Sequence, residues 1–412
     1  MKIVLGAALA LLASSALAHG PGRYRVEEIR PPDSFMQGCL AGFRAYAVGS
    51  RINDFGVVAG NFSCYTQVDG PAGTATGNGG PFVWSPWSGA TELEDGDPTR
   101  QAFVVTINNR GEAFGGTFPP NAILHGVRWP LSGGVETLFS DPTCESLDLN
   151  IAIAGNGRYS VGWGWRLAPE LGTPYDFLCL QPFWLIKTPA GTEVRGPMGE
   201  PRDINVFNVA VGILGSQLSP ITTAVRYHVA TGQQRVLHTG DASTRPLPTD
   251  INDLGEVAGY LSLIPDATDP NQCPAARALH WSRDDVETLL PLLAGDSSSR
   301  AWSVGYNGEI YGESGAGEYC NPEPSESDTA VVWRDGRVFD LNDAIPAREG
   351  VTLVSATGTN RRGQVIGHGY RNDDPLVICP RVAFDPVSQT TVYDLTNLCH
   401  PGRLFLLTPV GR

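Results

Sequence analysis

The sequence predicts an all-β fold, a β-propeller of four-stranded antiparallel blades, most simply seven of them. A short hairpin motif recurs seven times at a spacing of roughly fifty residues, which is typical of stacked or ringed units. A strand that ends in an aromatic residue follows most copies. Glycine and proline are abundant, at 49 and 32 of 412 residues, and apolar stripes with a helical period are missing.

The repeated motif is a β-hairpin in which an apolar strand runs into Asn-Asp-x-Gly or Asn-x-x-Gly. These residues tolerate positive φ and close a tight turn before a second apolar strand. The clearest copies are residues 52–60, 107–115 and 251–259. Weaker copies begin at Ile153, Ile204, Val304 and Thr359. Three of these are altered, with Ala154 and Gly305 at the asparagine position and Asn208 at the glycine position.

Two further strands complete each repeat. The third strand ends in an aromatic residue, and a polar turn and a last strand follow, as in residues 135–138 and 338–341. Each repeat is therefore predicted to be a meander of four strands, here called strands one to four. The third-strand aromatic residues are Trp84, Trp129, Trp184, Tyr227, Trp281, Trp333 and Phe384.

The two ends of the repeat array are predicted to pair with each other. Residues 24–29 resemble a fourth strand without its blade, and residues 404–408 resemble a third strand. Pairing them removes two exposed edges. Residues 381–395 are then either an insertion in the last blade or a strand pair that makes an eighth, partial blade.

The first 18 residues are predicted to be a secretory signal peptide. Lys2 supplies the charge, residues 3–17 the apolar run and residues 16–18 the small-residue cleavage site. The mature chain then begins at His19, forms a single domain over residues 19–412 and is secreted or periplasmic. No second apolar run is long enough to span a bilayer.

The net charge is −14, from 43 acidic and 29 basic residues. It argues against nucleic acid and anionic lipid as partners, because both require basic patches. It favours cationic or neutral partners, a protein or a glycan, although ordinary solubility is the simpler interpretation of the charge. We expect a monomer without cofactor or metal.

Eight cysteines follow the signal peptide, and an even number in an exported chain implies disulfides. We expect neighbours to pair, although eight cysteines allow 105 connectivities. A metal site is disfavoured, because no two cysteines stand at a C-x-x-C spacing. The expected pairs are Cys39 with Cys64, Cys144 with Cys179, Cys273 with Cys320, and Cys379 with Cys399.

The cysteines fall in the connections after strand two or strand four, which lie on one face of a meander. This face, the stapled face, also carries the long insertions. The opposite face, the short-turn face, has only hairpin turns. Because variable loops on a rigid scaffold usually carry binding, we expect function on the stapled face. The insertions are residues 63–80, 167–181, 261–276 and 314–328.

Trp163 and Trp165 stand two apart on one strand and project from the same sheet face. With Tyr175 and Phe177 in the following loop, they are candidates for a platform that stacks sugars. The alternative is that both tryptophans pack between blades, where propellers place such residues.

Other candidate chemistry is weaker. The oxygen-rich clusters at residues 266–271 and 372–374 match no calcium loop, and solvated loop charge is the simpler interpretation. A terminal His19 resembles the copper ligand of copper monooxygenases, but the remaining histidines show no ligand spacing. Known catalytic motifs are absent.

The hairpin at residues 52–60, the closing run at 404–410, and residues 338–342 followed by 352–358 resemble the bacterial extracellular HAF-repeat family. The resemblance extends from about Tyr24 to the C-terminus. The His-Ala-Phe strand of the family is degraded here to variants such as residues 80–82 and 277–279. The resemblance implies a propeller-like exported repeat protein with no general catalytic activity, so it supplies no site residues.

Three functions follow as hypotheses. The first is a non-catalytic propeller that binds a partner or ligand through its stapled face. The second is a hydrolase or lyase acting on extracellular glycans, which should bring at least two carboxylates together at the mouth of the central channel. The third is a structural protein of the envelope or surface.

Overall fold

The computed structural model describes residues 23–68, 75–93, 101–118, 124–140, 150–165, 182–215, 221–263, 275–316, 326–379, 381–385, 390–394 and 396–411. These residues form β-strands with short 3-10 turns at Asp33–Met36, Leu341–Ala344 and Ala347–Glu349, and they contain no α-helix. None of them belongs to a helix with the length and apolarity that a bilayer crossing requires.

The strands follow one another in chain order as hairpins. They are β1 (Tyr24–Ile29), β2 (Ala45–Ile52), β3 (Val58–Val68), β4 (Ala75–Ser85), β5 (Gly89–Glu92), β6 (Gln101–Ile107), β7 (Ala113–Phe118), β8 (His125–Trp129), β9 (Glu136–Phe139), β10 (Asn150–Gly155), β11 (Ser160–Trp165), β12 (Pro182–Lys187), β13 (Glu193–Ile204), β14 (Val209–Leu214), β15 (Thr223–His228), β16 (Gln233–Thr239), β17 (Thr244–Ile251), β18 (Val257–Leu263), β19 (Ala276–Trp281), β20 (Glu287–Leu289), β21 (Ser298–Val304), β22 (Ile310–Gly315), β23 (Thr329–Arg334), β24 (Arg337–Asp340), β25 (Val351–Thr359), β26 (Val365–Arg371), β27 (Val377–Ile378), β28 (Arg381–Asp385), β29 (Thr390–Asp394), β30 (Leu398–Cys399) and β31 (Arg403–Pro409).

The fold is an all-β propeller with four-stranded antiparallel blades, as the sequence predicts. Five sheets have four strands, namely β2–β5, β6–β9, β17–β20, β21–β24 and β1-β31-β26-β25. The expected count of seven separate blades is not what is observed, because β10 to β16 form one seven-stranded sheet. The cause is β13, which pairs with β12 over its first half and with β14 over its second half, without a connecting loop.

The two terminal strands are hydrogen-bonded to each other. β1 pairs antiparallel with β31, from Tyr24 opposite Pro409 to Ile29 opposite Leu404. β28 and β29 lie between β26 and β31 in the sequence but form a separate two-stranded sheet. Residues 381–395 are therefore an insertion. The prediction that Phe384 ends a third strand is therefore wrong. β31, which pairs with β26, is the third strand of this sheet, because the chain returns to it only after the insertion.

Two of the expected disulfides are confirmed, Cys39–Cys64 and Cys379–Cys399. The other four cysteines lie outside the described residues. The second disulfide joins the ends of the insertion, where β27 pairs with β30. Disulfides are typical of proteins that fold in an oxidising compartment, outside the cytoplasm. The predicted signal peptide and His19 lie outside the described residues.

A β-bulge interrupts the first strand of every repeat shortly before the hairpin turn. The register shift falls between Gly49 and Arg51 in the first repeat and recurs in the others. A bulge adds one residue and re-aims the side chain that follows it. The residues after the bulges are Arg51, Thr106, Ala154, Asp203, Asp250, Ser303 and Gly358.

The core lies between successive sheets. One cluster joins Val211 and Ala224 of the fourth repeat to Val257, Leu279 and Trp281 of the fifth. Adjacent repeats are thus held together mainly by apolar burial, as in other ringed repeats.

Candidate functional site

The conserved feature of the hairpin motif within this chain is an asparagine that bonds to the next repeat. Asn53 accepts hydrogen bonds from the backbone N–H groups of Phe55 and Val57 through Oδ1, both at 3.0 Å. Its Nδ2 donates to the carbonyl oxygen of Asn108 in the second repeat, at 3.1 Å. One side chain therefore shapes its own turn and fastens it to the neighbouring turn.

Six such links run around the axis and form what we term the asparagine ring. Asn360 of the seventh repeat donates to the carbonyl of Asn53, so the series returns to its start. The sixth repeat supplies no link, because Gly305 has no side chain; the N–H of Thr359 instead donates to Ser303 Oγ at 3.2 Å. The donors are Asn53, Asn108, Asn156, Asn205, Asn252 and Asn360.

In the third repeat, the asparagine position differs from the one predicted from the sequence. Asn156, and not Ala154, stands at the asparagine position: it accepts from the N–H groups of Arg158 and Tyr159. The turn is one residue shorter than in the first repeat, since the N–H of Asn156 bonds to the carbonyl of Tyr159. The expected departures at Gly305 and Asn208 are present. Asn208 replaces the turn glycine at φ 64°, a conformation that asparagine tolerates.

A cavity of about 420 Å³ lies on the axis inside the asparagine ring. Its walls are the last residues of the first strands and the first residues of the hairpin turns, so it opens on the short-turn face. The two observed disulfides lie at the other ends of the strands. The lining includes residues from every repeat, among them Asn53, Asn108, Asn156, Asn205, Asn252, Val304 and Asn360.

Arg51 is one of the residues that line this cavity, and its side chain reaches across to other repeats. Its guanidinium donates to the carbonyl oxygens of Thr249, Trp302 and Thr357 at 2.6, 3.3 and 3.2 Å. It also lies 3.5 Å from Asp250 Oδ1. A side chain of the first repeat is thus bound to the fifth, sixth and seventh repeats.

Two carboxyl groups, Asp203 and Asp250, lie side by side in the cavity wall. Burial, and then the charge of Asp250, hold the pKa of Asp203 well above its usual range. Burial also favours the neutral form of Asp250, but Arg51 and the hydrogen bond from Asp203 outweigh it and lower the pKa of Asp250. The two side chains are hydrogen-bonded to each other, and this bond raises the pKa of Asp203 and lowers that of Asp250.

The carboxyl oxygens of Asp203 and Asp250 also accept hydrogen bonds, mainly from backbone N–H groups. Asp203 accepts from the N–H of Ile251 in the next repeat at 3.2 Å. Asp250 accepts from the N–H of Val304 at 2.8 Å and from Ser303 Oγ at 2.7 Å. Such bonds join adjacent repeats and satisfy buried donors.

Three charged side chains and one aromatic side chain meet at the mouth of the cavity. Arg361 Nε lies 3.3 Å from Asp54 Oδ2, and its Nη2 is hydrogen-bonded to Asp253 Oδ2. Its guanidinium carbon lies 4.9 Å from the ring centre of Tyr306. These four residues follow the asparagine position, or its glycine equivalent, in their repeats.

Of the four residues predicted to stack sugars, the structure describes only the side chain of Trp163. Trp163 is half-buried and packs against a core cluster between the third and fourth repeats, in agreement with the packing alternative. The side chain of Trp165, and Tyr175 and Phe177, lie outside the described residues, as do residues 266–271.

Two members of the second oxygen-rich cluster, residues 372–374, already bond to other side chains. Asp374 pairs with Arg403 at 3.0 Å, and Asn372 Oδ1 accepts a hydrogen bond from Thr352. Within the described ranges, no group of three or more histidine, cysteine or acidic residues could hold a metal ion.

Glu313 is another buried acid, 1% exposed in β22 of the sixth repeat. Burial raises its pKa to about 7, against 4.5 for an ordinary glutamate, although Arg300 lies 3.8 Å away. A raised pKa means that the folded chain binds this proton more tightly than the unfolded chain. Glu313 therefore stabilises the fold most below pH 4.5, and this contribution is lost as the pH rises through about 7.

We expect Glu313→Gln to remove this pH dependence. Between pH 4.5 and pH 8, the unfolding free energy of the variant minus that of the wild type should rise by roughly 3 kcal/mol, since one pKa unit corresponds to about 1.4 kcal/mol. Urea unfolding across this range measures it. Glu92→Gln, at an exposed strand position, is the control. Parallel pH profiles for Glu313→Gln and wild type would contradict the assignment.

No protein-family model matches the chain, and no curated protein does. Solved structures are similar in fold. A prolyl endopeptidase matches with a TM-score of 0.52 at 11% identity, over 92% of this chain and 52% of that one. An acylaminoacyl peptidase from Pyrococcus horikoshii matches with a TM-score of 0.48 at 11% identity, over 82% and 55%.

The β-propeller domain of the trilobed protease from Pyrococcus furiosus matches with a TM-score of 0.46 at 10% identity, over 87% of this chain and 95% of that domain. The chain spans about half the length of the two peptidases. At this level of identity the similarity shows the propeller fold alone. The class of the protein is therefore a β-propeller with an axial cavity.

Proposed function

We propose that the chain is a non-catalytic binding propeller of the exported HAF-repeat type, and that its axial cavity binds a small polar ligand. The observation that carries the proposal is the cavity of about 420 Å³, in which polar groups from all seven repeats converge. A concave site with a few convergent polar groups is the usual form of a small-ligand site.

The proposal includes seven blades in a closed ring. β13 would serve as the fourth strand of the third blade and the first strand of the fourth, which its two halves of pairing support. The bond from Asn360 to the carbonyl of Asn53 and the pairing of β1 with β31 support closure between the last repeat and the first.

The proposed ligand site is on the short-turn face and not on the stapled face. The stapled-face insertions lie largely outside the described residues, so a second site there stays a prediction. The position of the cavity on the axis supports this assignment, because a single ligand can contact several repeats at once there.

A glycan hydrolase or lyase is the second candidate, and the Asp203 and Asp250 pair favours it. The two carboxyl groups bond to each other, however, and accept hydrogen bonds from buried backbone donors. This arrangement suits a link between repeats better than a reacting pair. Glycan turnover that is lost in Asp203→Asn would establish the enzyme instead.

Filling the cavity tests the proposal. We expect Ala154→Phe, which adds a ring at the cavity wall, to weaken binding of the best probe by ~10-fold or more, equivalent to about 1.4 kcal/mol. The probes are glucose, galacturonate and butylguanidinium, measured by calorimetry. Ala347→Phe, at an exposed position on a 3-10 turn, is the control. Unchanged binding to a folded Ala154→Phe variant, or no binding by any probe class, would overturn the cavity assignment.

A further inference from the structure

We propose that the mouth of the axial cavity is a binding site for a cationic group, a guanidinium or alkylammonium, and that Arg361 occupies this site when no ligand is bound. The inference rests on the proposed function, because it names the chemical class that the cavity binds.

The side chains around Arg361 have the composition of a cation site. Asp54 and Asp253 contact its guanidinium from the first and the fifth repeat, and the ring of Tyr306 faces it from the sixth. Carboxylates bind guanidinium groups through charge-assisted hydrogen bonds. An aromatic face within about 6 Å adds a cation–π attraction. Arg361 reaches this position from the seventh repeat, so it acts as an internal ligand.

The two carboxylates are held in place without the guanidinium. Asp54 accepts from the N–H of Arg361 at 3.0 Å and from Asn109 Nδ2 at 2.7 Å. Asp253 accepts from the N–H of Val206 at 3.1 Å. When the Arg361 side chain leaves, these bonds keep both carboxylates directed at the mouth. Because both carboxylates are already ordered, the binding of a ligand cation costs little conformational entropy.

Arg361 is also replaceable. Its side chain is 48% exposed, and exposed ion pairs contribute only about 0–1 kcal/mol. It stands beside the one gap in the asparagine ring, at Gly305. A ligand cation that continues into the cavity gains contacts that Arg361 does not make. The net charge of −14 favours the approach of such a ligand.

The test compares two adjacent arginines. We expect Arg361→Ala to bind butylguanidinium up to ~5-fold tighter than the wild type, because the competing internal cation, held by no more than about 1 kcal/mol, is gone. Arg362→Ala, at the neighbouring exposed position, should match the wild type. Butylurea, which has a similar shape without the charge, should bind Arg361→Ala at least ~10-fold more weakly than butylguanidinium. Adding Asp253→Asn should abolish the gain. Arg361→Gln provides a second variant if the alanine variant unfolds.

Equal affinity of Arg361→Ala and Arg362→Ala for butylguanidinium, or equal binding of butylurea, would overturn the proposal and make Arg361 a structural ion pair only. If glucose or galacturonate binds and Ala154→Phe removes that binding, the cavity function holds and the cation site fails. If no probe binds any variant, both fail.

Discussion

Replacing Trp184 with alanine is expected to lower the free energy of unfolding by about 3–5 kcal/mol, the range for a buried tryptophan. Trp184 is fully buried. It packs from β12 onto the fourth repeat, where its ring meets Tyr227 edge to face at 5.5 Å. Its indole N–H donates to the carbonyl of Ile213 at 3.3 Å. A side chain on Gly212 would begin 2.5 Å from this ring, so the neighbouring strand is fitted to it.

Urea unfolding monitored by circular dichroism measures this effect. The matched control is Trp87→Ala, whose side chain is 69% exposed and whose loss should change stability by less than about 0.5 kcal/mol. A Trp184→Ala variant as stable as Trp87→Ala would show that apolar burial between these two repeats does not stabilise the fold.

Asn53→Ala is expected to cost roughly 2–4 kcal/mol, because three hydrogen bonds are lost and buried backbone groups lose their partners. Asn53 is 3% exposed and is bonded to Phe55, Val57 and Asn108. The control is Asn307→Ala in the sixth repeat, where an exposed asparagine accepts one bond, from the N–H of Glu309. Denaturant midpoints of the two variants give the comparison.

The gap in the asparagine ring offers the reverse experiment. Gly305 is not among the residues with positive φ, so its backbone conformation is one that asparagine adopts. Its Cβ would lie 2.9 Å from Asn307 Oδ1, the end of a side chain that can move, and 3.3 Å from the carbonyl oxygen of Glu309, a tight contact with backbone. Gly305→Asn should supply the missing link and add up to about 1 kcal/mol. A loss of stability in Gly305→Asn, or an Asn53→Ala variant no weaker than Asn307→Ala, would contradict the role of the ring.

The hairpins, the meander order and the pairing of the terminal strands follow from the sequence because each depends on local signals. Turn residues, alternating strands and unpaired ends are visible within a few residues. Asn156 is missed for the same reason: its turn is one residue shorter, so a fixed motif length places the asparagine wrongly. The single sheet through β13 is missed because Gly196-Pro197 and Pro201 indicate a break between two strands, whereas strand pairing continues on both sides of them.

The axial layer is not visible from strand periodicity. Arg51, Asp203 and Asp250 stand two residues before the asparagine of their repeats. The bulge before each of them breaks the period-two pattern, so their common direction appears only in three dimensions. Aligning the seven repeats on the ring asparagine brings these charges into one column, which is the signal that sequence reasoning could use.

The long strand β13 constrains how the chain can vary. Its two halves serve different neighbours with no loop between them, so the third and fourth repeats cannot change length independently at this junction. Inserting a single residue in the middle of β13 would turn every side chain of one half to the opposite side of the pleat. This junction is therefore expected to accept substitutions more readily than insertions.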